Sequence, residues 1–391
     1  MIHQSLTGVR VLDLTRLLPG PMATLVLADL GARIDKLEDP SPGDYLRAMP
    51  PMRGATSAAY LALNRDKRSV VVDLKRPDGV ALLRRMLPRY DVVIEGFRPG
   101  VLARLGCSHA DMLAIHPGLV VCAITGYGQT GPLAKRAGHD INYLARAGVL
   151  GATGPADAPP AVSGAQMADV AGGALWSVIG ILAALRARDA TGRGSVVDIA
   201  MCEGSIPLAA FALAPVTVGD EAPPRGRNHL DGGIAAYNTY RTGDGRYVSL
   251  GALEPKFWVA FAGATGLDAS MEALIAGEHQ GPLRERVAAV FAGRTRAEWE
   301  QFARENDCCL EPVLDASELP SDPQHAARGV FFPMDDGAGG TMTAFRTPVG
   351  AGAGAAHTAA RSAGADTDAV LRDAGVTDDE IAALRRDGVV A

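Results

Sequence analysis

Through the first 125 residues, short apolar runs alternate with stretches that repeat apolar side chains at helical spacing. Residues 9–14, 34–37, 70–73, 92–95 and 119–124 predict strands, each a brief and largely apolar run bounded by polar or turn-forming residues. Residues 21–30 and 79–89 predict helices. The first has Pro21 in its opening turn and Gly31 past its end, positions where a helix accepts the one and stops at the other. A strand–helix–strand rhythm builds a parallel sheet with helices on both faces. Ligands of such sheets lie beyond the carboxyl ends of the strands. Chemistry is therefore expected in the loops after Leu14, Glu95 and Ile124.

Farther along, residues 167–187 predict one long apolar helix, 195–199 a strand and 202–213 a helix. The character then changes. Residues 221–230, EAPPRGRNHL, are polar with adjacent prolines and read as a linker. Residues 237–241 and 247–250 flank TGDGR, and Asp-Gly between strand-like runs signals a hairpin. Residues 337–364 are rich in Gly and Ala and read as a loop, and Thr377 with Glu380 forms a capping box ahead of a last helix. The expected fold class is α/β. A large domain over 1–220 carries a Rossmann-like parallel sheet, a linker covers 221–230, a smaller α+β domain covers 231–330, and 331–391 return to the large domain.

Composition narrows the function. With 391 residues, 48% hydrophobic and 21% charged, the chain suits two globular domains. A net charge of -6 argues against nucleic acid as a partner, because phosphate tracking needs a basic face. The cysteines, Cys107, Cys122, Cys202, Cys308 and Cys309, contain no C-x-x-C, and the histidines form no H-E-x-x-H, so no metal site is expected. Reduced thiols and the absence of a signal-like apolar core suit a cytoplasmic protein. The uncharged stretches 170–185 and 205–219 fall short of the roughly 20 residues a bilayer span needs. They read as buried helices, with no membrane span.

GYGQTG at 126–131 matches G-x-G-x-x-G after a predicted strand. The context argues against a dinucleotide site. Pro132 and Gly138 interrupt the place where a helix should follow, and no acid-ended strand comes about 20 residues later. These glycines are expected to let a loop pass close to something bulky.

Longer motifs carry a resemblance. GVRVLDL at 8–14, Gly20-Pro21, LADLGA at 27–32, PSPGD at 40–44, NRDKRS at 64–69, DLK at 73–75, EGFRPG at 95–100 and GYGQTGP at 126–132 occur in one order. Together they resemble the class III CoA-transferase superfamily over nearly the whole chain. GHDINY at 138–143, GALEPKFW at 251–258 and DGG at 231–233 with Tyr237 resemble its α-methylacyl-CoA racemase branch. Asp39 stands where relatives often carry an Arg, and Ala165 where some racemases carry an Asn.

The resemblance implies an isomerase that inverts the carbon next to a CoA thioester, with no cofactor beyond the CoA of its acyl-CoA substrate. Such inversion needs an acid and a base on opposite faces, roles that fall to His139 and Asp169. The backbone N–H of Asp140 would meet the negative oxygen of the enolate. Glu254, supplied by the second subunit, would orient His139, which implies an interlocked homodimer. Arg98 and the basic run Asn64, Arg65, Lys67 and Arg68 would contact the CoA phosphates, and Tyr237 would line the acyl pocket. The alternative is a CoA-transferase, in which Asp169 attacks the thioester and carries CoA as an aspartyl thioester.

Overall fold

The computed structural model describes residues 2–222 and 224–391. Six strands run parallel: β1 (Arg10–Leu14), β2 (Arg33–Glu38), β3 (Lys67–Val71), β4 (Val92–Glu95), β5 (Val120–Thr125) and β6 (Val196–Ala200). Their order across the sheet is β3-β2-β1-β4-β5-β6. This is the Rossmann order, whose winding reverses between β1 and β4 and leaves a crevice at their carboxyl ends. β4 and β5 are buried along their whole length, as expected for strands covered on both faces.

The chain divides into two compact units. One comprises Met1–Arg146, Ala165–Pro207 and Pro320–Ala391, and the other Ala147–Gly164 and Leu208–Leu319. The boundaries differ from the expected ones. Residues 208–220 belong with the smaller unit, and the return to the larger unit begins at Pro320, not at 331. Residues 147–164 also belong with the smaller unit, and so does the stretch read as a linker. Arg225 holds the two together by donating to the backbone carbonyls of Pro155 at 3.1 Å and Ala158 at 2.5 Å. Asp231 accepts from the amides of Gly226 and Asn228 and closes the same turn.

In the first unit the core is aliphatic. Val70, Leu83, Met86, Val93 and Val121 pack with Val370, Leu371, Ile381 and Val390 from the chain's end. This accounts for the return of the C-terminal residues to the large unit. The helix over Asp378–Arg386 opens with the capping box read at Thr377 and Glu380. α1 (Pro19–Asp29) follows β1, and α2 (Asp140–Arg146) follows the loop beyond β5. The long apolar helix extends over Ala168–Thr191, π-helical over Ala168–Leu175 and then regular as α3 (Trp176–Thr191). It is 24 residues long and its most apolar 18-residue window has a mean hydropathy of 1.7, long and apolar enough to cross a membrane on those measures, and half of that window is buried inside the protein.

Two local readings are corrected. The helix expected at 202–213 is broken into α4 (Met201–Ser205), a 3-10 turn (Ile206–Ala209) and a helix over Ala210–Thr217, with Pro207 removing an amide from the middle. The stretch at 337–364 is not all loop. Thr341–Phe345 pairs antiparallel with Phe331–Asp335, and Ala344 is buried against Phe332 and Met334. Five alternating residues among glycines gave too short a signal.

The second unit is built on the predicted hairpin. Tyr237–Arg241 and Tyr247–Gly251 pair antiparallel, and Leu310–Pro312 adds a third strand. Its core is aromatic: Tyr240, Trp258, Phe261, Phe291, Trp299 and Phe302 all contribute buried rings.

Candidate active site

The loop after β5 ends at His139, and α2 begins at Asp140. Asn142 fixes this start, its side-chain oxygen accepting from the His139 N–H at 3.0 Å while its own amide donates to the His139 carbonyl. The Asp140 N–H, by contrast, donates to no backbone acceptor among the described residues. His139 is exposed, and its ring makes no hydrogen bond among the described residues.

Asp169 sits in the first turn of the π-helical segment. A π segment widens the backbone by one residue per turn, and such segments recur at functional sites. Here it accompanies a close approach to α4: a Cβ on Gly172 would meet the Ser205 hydroxyl at 2.4 Å. The Asp140 carboxylate reaches across and accepts from the Asp169 N–H at 2.9 Å. That bond joins the backbone carrying His139 to the backbone carrying Asp169. The Asp169 carboxylate has no cation or donor of its own among the described residues. Burial, and then the like charge of Asp140, push its pKa up to about 6. A carboxyl titrating there accepts and returns a proton near neutral pH.

Tyr143, which the motif contained but sequence reasoning did not single out, fills the floor of this region. Its hydroxyl donates to the Gly138 carbonyl, and its ring meets Tyr127 edge-on at 5.2 Å. A Cβ on Gly126 would lie 2.3 Å from that ring, so Tyr143 is the bulky neighbour that the glycine-rich loop accommodates. Residues 126–139 form turns without a helix. Burial, followed by Asp169, raises the Tyr143 hydroxyl to about 12 and keeps it protonated.

Arg98 lies just past β4 and lines a cavity with Glu95, Ser108, His109 and Gln129. It is exposed and forms no ion pair among the described residues, while the buried Glu95 holds His109 at 3.0 Å.

Asn64, Arg65, Lys67 and Arg68, expected to contact phosphates, do not form an exposed basic cluster. Arg65 is fully buried and bonded to Asp29 at 2.7 Å and Asp66 at 2.6 Å. Lys67 is buried and donates to the Pro21 carbonyl at 2.8 Å and Asn64 at 3.0 Å, with Asp13 at 3.8 Å. Arg68 is held by Asp35 and Asp373. Asn64 is likewise buried, bonded to Lys67 and to the Tyr60 carbonyl. These donors are consumed by acids and carbonyls inside the protein. Asp39, in the place of the usual Arg, pairs with Lys75 at 2.7 Å.

Glu254 and Tyr237 belong to the second unit. Glu254 is exposed at the start of the helix Pro255–Thr265 and makes no capping bond with its side chain. Tyr237 opens the hairpin and packs against the aromatic core.

The Rossmann-ordered sheet defines an α/β protein, and Asp169 is a carboxyl without a cation among its described residues. The family model described as CoA-transferase family III matches residues 6–367, and the chain belongs to that family. It is 37% identical to the α-methylacyl-CoA racemase of Mus musculus over 98% of this chain and 97% of the relative. It is 39% identical to the succinyl-CoA:glutarate CoA-transferase of Homo sapiens over 63% of this chain and 56% of that one. Among solved structures, a CAIB/BAIF family protein from Brucella suis superposes with a TM-score of 0.81 at 28% identity, covering 94% of this chain and 99% of the other. The family therefore contains both racemases and CoA-transferases as relatives of this chain.

Proposed function

We propose that this protein is an isomerase that epimerises the carbon next to a CoA thioester, in the manner of the α-methylacyl-CoA racemases. One observation carries the reading: Asp140 ties the backbone of a free imidazole, His139, to that of an uncompensated carboxyl, Asp169. One group removes the α-proton, leaving an enolate, and the other returns a proton to the opposite face. The Asp140 N–H is available to the enolate oxygen. Arg98 would take a CoA phosphate, and Tyr237 would line the acyl pocket. No metal or redox cofactor has a part in this scheme, and it operates in the cytoplasm.

A homodimer belongs to the same proposal, with Glu254 reaching His139 of the partner subunit. Trp176, Ile179 and Leu182, three residues apart along α3, are exposed by 40%, 54% and 36%. That spacing puts an apolar stripe on one helix face, which a second subunit would cover.

The transferase relative supports a second reading. Asp169 would attack the thioester carbonyl, expelling CoA thiolate and forming a mixed anhydride. The thiolate would then attack the aspartyl carbonyl, releasing the first acid and leaving an aspartyl thioester. The two readings separate on a chiral 2-methylacyl-CoA in deuterated water without acceptor acid. Loss of optical purity with uptake of α-deuterium is expected. No exchange, together with acid-dependent CoA transfer and hydroxylamine capture at Asp169, would select the transferase instead.

A further inference from the structure

The Asp140 side chain has a position that its backbone role does not require. It is the first residue of α2, where a carboxylate is favoured by the helix dipole, yet it bonds outside its own helix. Its target is the amide of Asp169. An uncharged acceptor would hold that amide equally well. A carboxylate holds it and also sets a second negative charge beside the Asp169 carboxyl, with no ion pair to either one among the described residues. Titratable groups surround the pair: His139 and Tyr143 next to Asp140, Tyr127 on the glycine-rich loop, Arg98 beyond β4, and Cys202 and Glu203 on the packed helix α4. Among them Arg98 acts on Tyr143, whereas Asp140 is the group whose charge acts on Asp169.

We infer that the Asp140 carboxylate is a positioning residue for Asp169: it fixes the Asp169 backbone through one hydrogen bond and places an uncompensated negative charge beside the carboxyl that exchanges protons. Both effects serve the same end. The bond orients Asp169 toward the substrate, and the charge favours the protonated carboxyl that must form during each turnover. The inference rests on Asp169 being the reacting group, so its test includes a readout that does not depend on turnover.

The test compares the wild type with Asp140→Asn and Asp140→Ser, with the aspartate carboxyl carbons labelled with carbon-13. The Asp169 resonance is assigned by its loss in Asp169→Asn and followed through a pH titration. Asp140→Asn keeps an acceptor for the Asp169 amide and removes the charge. The titration midpoint of Asp169 is expected to move to lower pH, with the Asp169 amide still protected from hydrogen exchange. The acid limb of the pH–rate profile should move the same way. Asp140→Ser shortens the side chain, so amide protection should fall and kcat should drop more than KM changes. An unchanged Asp169 midpoint in Asp140→Asn overturns the inference, whatever the activity. A wild type lacking both α-exchange and CoA transfer would defeat the proposed function, while the titration would still decide the role of Asp140.

Discussion

Two groups of acids in the first unit, one buried and one half-buried, are treated in opposite ways. In the first group Asp13, Asp29, Glu38 and Asp44 each have a cation. Asp13 faces Lys67 and the hydroxyls of Thr15 and Thr24; Lys36 pairs with Asp44 at 3.0 Å; Arg65 pairs with Asp29; Arg47 grips Glu38. Burial alone would raise the Asp13 carboxyl, but Lys36, Lys67 and the two hydroxyls outweigh it and hold it below the ordinary value. At Asp169 burial acts in the same direction, and the neighbouring charge, Asp140, adds to it. Matched charges make a rigid, ionised scaffold. An unmatched one leaves a carboxyl ready to change its protonation state.

The sharpest way to break this comparison is at Asp169. Asp169→Asn should lower α-deuterium exchange by about 100- to 10,000-fold, the usual contribution of a positioned acid–base group. Exchange within a few-fold of wild type would return Asp169 to the scaffold class. The matched side is tested by Arg65→Met. Removing the cation strands Asp29, which among the described residues keeps only Thr347 as a donor. Breaking a buried pair in this way typically costs about 3–5 kcal/mol. Urea denaturation should show that loss, while KM for the CoA ester, measured well below the melting range, stays at the wild-type value. A raised KM with unchanged stability would restore Arg65 to the phosphate site.

A smaller effect runs the other way. The Asp169 carboxyl titrates near 6 in the fold, above its ordinary value of 3.8. Its ionised form is disfavoured by folding. That cost is absent below pH 3.8, grows between 3.8 and 6, and is constant above. Asp169→Asn should therefore stabilise the protein at pH 8, by on the order of 2 kcal/mol, with the gain disappearing near pH 4. Paired denaturation curves at the two pH values check it. An inactive variant that is also more stable marks a residue kept for chemistry.

What the sequence disclosed follows the same division. Strands β1, β4, β5 and β6 were legible because each is a short, largely apolar run, and the hairpin at 237–251 because Asp-Gly separates two alternating segments. The motif around His139 and Asp140 drew attention to the loop beyond β5, whose Asp140 bonds to Asp169. The buried cations were misread because Lys and Arg are seldom fully buried, so a run such as NRDKRS reads as surface. A signal was nevertheless present. β2 is RIDKLE, and five of its six residues are buried. A strand that buries Asp35, Lys36 and Glu38 requires counter-charges on its neighbours, and β3, which lies beside it, begins at Lys67 and Arg68. Tyr143 was hidden differently: its role depends on ring contact with Gly126 and Gly138, positions that are distant or unremarkable along the chain. The Asp140–Asp169 bond joins residues 29 apart, a separation that no helical or strand period encodes.

The mildest test concerns the mirror image of Asp169, a cation without an acid. Arg98 is exposed beyond β4, makes no ion pair among the described residues, and lines the cavity with Ser108, His109 and Gln129. Arg65, by contrast, spends its charge on Asp29 and Asp66. If a free cation marks a ligand as a free acid marks a reaction, Arg98→Ala should raise KM for the CoA ester several-fold and leave kcat nearly unchanged, the pattern of an interaction made equally in ground and transition states. Stability should stay within about 0.5 kcal/mol of wild type, as for other exposed substitutions. The KM effect should weaken with added salt, because an exposed guanidinium and a phosphate are screened together. A loss confined to kcat would instead place Arg98 with Asp169 at the reacting carbon, extending the unmatched region toward β4.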